Sequence, residues 1–248
     1  MASFHDVADD FFVNTNIQTT LALPSSRETV LHFFEAVQKE FSQMTSFFQR
    51  ETGEFVLEGD REGGTYPWLE LQPRHFSAGY FNPADVEAAY RYHQWLLDRS
   101  VYYLGLSSLD IECMDVLYGF NLDYLGNRDA IVAQAMLMNS PLGSLLADEH
   151  ARAIEFEPSM VIALDEGCYL QARLSLETRS SSYQVRTGQY EDEPISIYFT
   201  VRRHPVPGRL LDMKESFIQQ CQIGEDMVQR VVIPQIIEPI AAAIASAQ

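Results

Sequence analysis

From Phe11 to Leu23 every second residue is apolar or threonine: Phe11, Val13, Thr15, Ile17, Thr19, Leu21 and Leu23 alternate with a set that includes Asn14, Asn16 and Gln18. A two-residue period sends successive side chains to opposite faces, so this stretch reads as a strand with one face buried. The pattern returns in Val116, Tyr118, Phe120, Leu122 and Tyr124, and in Leu170, Ala172, Leu174 and Leu176. It returns again in Ile195, Ile197, Phe199 and Val201. One-sided strands of this kind belong in antiparallel sheets with a single covered face, and the cover has to come from elsewhere in the chain.

Helical patterns supply it. Pro24 ends the first strand, and Ser25 stands three residues before Glu28, the spacing of a capping box. Val30, Phe34, Val37, Phe41, Met44 and Phe48 then recur at steps of three and four, which predicts an amphipathic helix over 25–49. Short strands are expected at Glu54–Glu58, Tyr66–Leu71 and His75–Phe81. Asn82 and Pro83 read as the cap and first position of a second helix carrying Val86, Tyr90, His93 and Leu97 and stopping at Gly105. The cycle then restarts with a strand over Leu109–Leu125. Its parity changes near Cys113–Met114, which calls for a bulge. Asn127 caps a short helix, strands follow at Ala153–Leu164, Cys168–Thr178 and Ile195–Arg203, and a long helix begins near Leu211 with kinks expected at Gly224, Pro234 and Pro239.

The expected fold is therefore α+β, with a largely antiparallel sheet, long helices on one face, and a β-α-β-β-β-α unit used twice. The boundaries are a tail at 1–10, a first half at 11–105 and a second at 106–248; one continuous domain without internal symmetry is the alternative. Ser26-Arg27-Glu28-Thr29-Val30-Leu31 lines up with Asn127-Arg128-Asp129-Ala130-Ile131-Val132 at the same stage of each half. In element order alone, such a unit resembles the saddle-shaped architecture of TATA-box-binding-protein-like and helix-grip proteins. The resemblance implies a long curved sheet backed by helices, and no activity.

Formal net charge is −18, spread as −8 over residues 1–105 and −10 over 106–248. Such a field repels phosphate backbones and anionic bilayers, which disfavours nucleic acid and membrane as partners. Cys113, Cys168 and Cys221 are odd in number, widely spaced and without a C-x-x-C pair, the usage of a reducing compartment, so a cytoplasmic location is expected. The N-terminal MASFHDVADD lacks the basic and apolar regions of a secretory signal, and the apolar run Val231–Ala245 is too short to cross a bilayer.

No phosphate loop, dinucleotide fingerprint, nucleophile elbow or paired-histidine metal motif occurs, so neither cofactor nor metal is expected. His5, Asp6, Asp9 and Asp10 read as a solvated acidic end, and His93 as a core histidine. Arg74-His75 and Arg202-Arg203-His204 could hold an anion and supply an acid–base group, or simply balance local acids. The parity opposite the core carries Trp68, Tyr169, Arg173, Tyr198 and Arg202, aromatics with arginines as in recognition surfaces. The leading expectation is a non-catalytic binding protein for a small molecule or protein, using this aromatic and arginine face, with Trp68 as anchor, or a cleft between the two halves. The alternatives are an enzyme for a small anionic substrate using Arg74, His75, Arg203 or His204, and an acidic inhibitor of a basic protein.

Overall fold

The computed structural model describes residues 4–138, 140–148 and 150–247. Its strands are β1 (Asp10–Thr19), β2 (Ser46–Gln49), β3 (Phe55–Glu58), β4 (Tyr66–Leu71), β5 (His75–Phe81), β6 (Ile111–Leu122), β7 (Ser159–Ala163), β8 (Leu170–Glu177) and β9 (Ile195–Arg203). They form one sheet in the order β2-β3-β4-β5-β1-β6-β9-β8-β7, antiparallel at every pairing. The helices are α1 (Arg27–Glu40), α2 (Val86–Tyr103), α3 (Arg128–Leu137), α4 (Ser182–Thr187), α5 (Met213–Met227) and α6 (Glu238–Ala247). The fold is thus α+β around a large antiparallel sheet.

The alternation in β1 and β6 decides which face is covered. Phe11, Val13 and Ile17 are buried on the same side as Val116, Tyr118 and Phe120, while Phe12, Asn14 and Gln18 lie on the other. The two strands keep this match because the register shifts between Gln18 and Thr19: Cys113 faces Gln18, Ile111 faces Thr19, and Glu112 is the extra residue. That is the bulge the parity change required, one position upstream.

Helices α2 and α5 lie on the covered face. The His93 ring Nε2 bonds the Val13 carbonyl at 3.1 Å, and the Tyr90 and Tyr118 hydroxyls meet at 2.5 Å. Tyr118 donates onward to the Cys221 carbonyl of α5 at 3.0 Å. Gln220 donates to both Met114 and Val201 carbonyls at 2.8 Å, tying α5 across β6 and β9. Gly224 is no kink. A Cβ there would stand 2.3 Å from the Tyr118 ring, so glycine permits α5 to approach the sheet.

Several local expectations change. Helix α1 starts from the cap Ser26, not Ser25, and ends at Glu40 with Phe41 as its C-cap. Phe48 belongs to β2, because the chain turns at 41–45 and pairs with β3. Phe41 remains useful outside the helix, packing edge-on to Tyr92 and Trp95. Asn82 is not the cap of α2; Asp85 is. Asn82 sits at φ 44°, where its side-chain Oδ1 accepts from the Phe11 N–H and its side-chain Nδ2 donates to Asp10. The strand expected at Ala153–Leu164 shortens to β7, since Phe156 N–H bonds the Asp129 carboxylate rather than a ladder partner. The segment 1–10 contributes Phe4, which packs on Phe11 and Phe120. The C-terminal helices join through a π-helical stretch, Val228–Ile237, that contains Pro234. The resulting 35-residue helical run is long and apolar enough by composition to cross a bilayer, and 33% of its most apolar window is buried in this fold.

Two measurements follow from this packing. Phe34 is buried to 3% exposure on α1, so Phe34→Ala should cost roughly 3–5 kcal/mol in urea unfolding, as other large core truncations do. Burial lowers the His93 pKa to about 4, against about 6.5 for a free imidazole. The unfolded chain therefore takes up a proton that the folded chain refuses. Stability from this group is full above pH ~6.5 and declines as pH falls toward about 4, by about 2 kcal/mol between pH ~7.5 and pH ~5. His93→Gln keeps a donor for Val13 but does not titrate, and its loss over that window should be smaller by that amount.

Candidate functional site

Two glycines shape the face opposite α2 and α5. Gly79 of β5 lies between Trp68 and Asn14, and Gly119 of β6 lies between Phe12 and Tyr198. A Cβ on Gly119 would stand 2.1 Å from the Phe12 ring, and one on Gly79 would stand 2.4 Å from Trp68 Nε1. The rings lie down over the glycines.

A row of aromatics results. Tyr66 stacks on Phe81 at 5.2 Å, Phe81 stacks on Phe12 at 5.8 Å, and Phe12 reaches across Gly119 to the edge of Tyr198 at 6.2 Å. The row runs from β4 to β9, and an arginine–carboxylate pair closes each end. Arg61 bonds Glu58 at 2.6 Å and lies 5.6 Å from the Tyr66 ring centre. Arg179 bonds both Glu177 and the Tyr198 hydroxyl at 2.8 Å. Burial raises the pKa of Tyr66 above the ordinary tyrosine value.

Beyond Tyr198 the face opens into a groove of about 380 Å³ over β6, β9, β8 and β7. Its walls include Leu117, Val161, Gln171, Ser175 and Thr200, with four charged side chains. Three of these are already engaged. Arg202 clasps Asp115 through two bonds of 2.7 and 2.6 Å, which raises the arginine's pKa further, and Glu177 is held by Arg179. Arg173 is exposed and has no hydrogen-bond or ion-pair partner among the described residues. The groove thus presents one uncompensated cation amid amide and hydroxyl groups, which suits a carboxylate or phosphate group.

The structure brings Arg173, Tyr198 and Arg202 into this groove and leaves the other two expected residues out. Trp68 shares the face but stands on β4, four strands from Tyr198, or roughly 19 Å at the usual strand spacing. It lies flat over Gly79 and does not project as an anchor. Tyr169 precedes β8 in a turn; its N–H bonds Asp165 and its ring lies against Gly167.

The alternative set is also divided. Arg74 lies in the turn before β5, and its carbonyl accepts from Thr19. His75 faces Gln18 across the ladder, while His204 follows β9 with its ring beside the Glu112 carbonyl, three strand spacings or roughly 14 Å away. Arg203 points to the helix side, where it bonds Gln219. The described residues contain no cluster of three metal-capable side chains.

Phe12, Phe81 and the arginine–acid pairs were not visible as site features. The one signal available was a phenylalanine on the solvent parity of the first strand together with glycines inside two others. The chain matches no protein-family model and no curated protein.

Gly119→Ala should force Phe12 off the sheet and cost about 1–3 kcal/mol, as overpacking does. In a Phe12→Ala background the same change should cost far less. Thermal melts of the two single variants and the double variant measure this coupling.

Proposed function

We propose that this protein is a non-catalytic binding protein whose open sheet face takes a partner bearing a carboxylate or phosphate group. The observation that carries the reading is Arg173: in a groove where Asp115, Arg202 and Glu177 are each already paired, it alone stands without a counter-charge among the described residues. The aromatic row leading into the groove offers a flat apolar track of low conformational cost for the rest of a ligand. A small anionic molecule and an acidic protein segment share this chemistry.

The sheet order supports reading the fold as a duplication. Strands β5, β4 and β3 fan out from β1 on one side, β9, β8 and β7 fan out from β6 on the other, and β1 pairs with β6 at the centre. On this reading the binding groove belongs to the second half, and the end of the row at Tyr66 is its counterpart in the first. The equivalent arginines have diverged, since Arg27 is exposed and Arg128 is buried, bonding the carbonyls of Thr178, Glu191 and Glu193. A cytoplasmic location fits the three free cysteines.

The test is a ligand screen by NMR chemical shift or thermal shift using a library of small carboxylates and phosphates. Hits should perturb Thr200 and Ser175. Arg173→Ala should weaken them at least about tenfold, the worth of one charge-assisted hydrogen bond of about 1.5–3 kcal/mol. Trp68→Ala, on the same face but outside the groove, should leave them unchanged. Binding that survives Arg173→Ala intact removes the proposal.

A further inference from the structure

We infer that β7 is a pairing edge for a second copy of this chain, joining two nine-stranded sheets across a twofold axis at Val161. β7 ends the sheet and, among the described residues, pairs only with β8. All five of its residues are exposed, with Met160, Val161 and Ile162 at 66%, 57% and 40%. An apolar edge of this kind is a template for another strand, and native edges are ordinarily blocked by charge, proline or a covering element. Here 158–164 reads Pro-Ser-Met-Val-Ile-Ala-Leu, with no charged residue and a proline only before the strand begins.

The hydrogen-bond parity identifies the pairing. Leu164 N–H bonds the Leu170 carbonyl, and Leu176 N–H bonds the Pro158 carbonyl. In an antiparallel ladder bonded pairs alternate, so the even residues of β7 turn their backbone groups to β8. Ser159, Val161 and Ala163 turn theirs to the free edge. An antiparallel copy centred on Val161 sets Val161 against Val161 and Ser159 against Ala163, and every one of these is a bonded pair. The junction makes about six backbone hydrogen bonds with no unmatched group in the strand. Met160 meets Ile162 of the other copy on the helix side, so the exposed apolar side chains cover one another.

The edge fits a second copy because its uncharged run, 158–164, is symmetric about the outward-facing Val161. Two chains of net charge −18 repel, so the paired strands themselves have to be free of acids, as 158–164 is. In this register Glu157 falls opposite Asp165 beyond the ends of the strand, and each exposed carboxylate is hydrogen-bonded within its own chain. Glu157 accepts from the N–H groups of Thr178 and Arg179, and Asp165 accepts from those of Tyr169 and Leu170. A twofold axis normal to the sheet keeps both helix layers on one side. The two Arg173 grooves then flank the junction, because Arg173 is the β8 partner of Val161.

Sedimentation equilibrium over a concentration series tests the inference with two variants. Val161→Pro removes an outward N–H that the β8 ladder does not use, and Val161→Lys sets two ammonium groups on the axis. Wild type should sediment at twice 28.2 kDa and both variants at 28.2 kDa, with unchanged far-UV circular dichroism. If Val161→Pro fails to fold, Val161→Lys decides the matter alone. In wild type, the Val161 and Ala163 amides should be protected from hydrogen exchange and lose that protection on dilution. A wild type that stays at 28.2 kDa throughout overturns the inference, as does a dimer that persists in the folded variants.

Discussion

The register between β1 and β6 is the constraint on which the rest of the molecule depends. Both strands sit at the centre of the sheet, and each carries a core set and a solvent set that differ by one residue. Side chains alternate with period two, so a slip of one position would send Val116, Tyr118 and Phe120 to the open face. The bulge at Glu112 absorbs the parity change of the sequence and lets Ile111 stay buried alongside them. Everything laid on the covered face follows from that alignment, including the chain of contacts from Tyr90 through Tyr118 to the Cys221 carbonyl.

The open face obeys a different rule. It is not simply polar. Gly79 and Gly119 remove two side chains from neighbouring rows, and the rings of Trp68 and Phe12 lie in the gaps. Glycine weakens a strand interior because nothing packs there. Here the cost is offset because the aromatic rings are stabilised against the backbone and against one another. The same arrangement makes a continuous surface across strands that are distant in sequence, from Tyr66 to Tyr198.

Electrostatics on that face also differ from the molecule as a whole. A chain with a surplus of acids offers abundant partners for its arginines, and Arg50, Arg61, Arg179 and Arg202 are each matched to a carboxylate. Exposed pairs of this kind contribute little to stability individually. Their effect on the surface is larger, because they neutralise acids that would otherwise repel an anion. Against that background the guanidinium of Arg173, without a partner among the described residues, is left to meet an anion in the groove.

The sequence by itself determined the buried parities of β1, β6, β8 and β9, the bulge near Cys113 and the position of α2, because periodicity and local capping are properties of neighbouring residues. It also assigned Arg173, Tyr198 and Arg202 to the solvent parity, on which all three are found. It did not reveal β2, nor that Met160 and Ile162 of β7 would be exposed. It misplaced the end of α1, since Phe41, Met44 and Phe48 keep helical spacing while the chain has already turned into β2. Only the tertiary structure decided which strands are neighbours. That order separates Trp68 from Tyr198, draws Asp115 to Arg202 across 87 residues, and leaves Arg173 without a partner among the described residues. Parity assigns a residue to a face, but the distance between two residues on that face is set by strand order. Strand order depends on long-range pairing that no local pattern encodes.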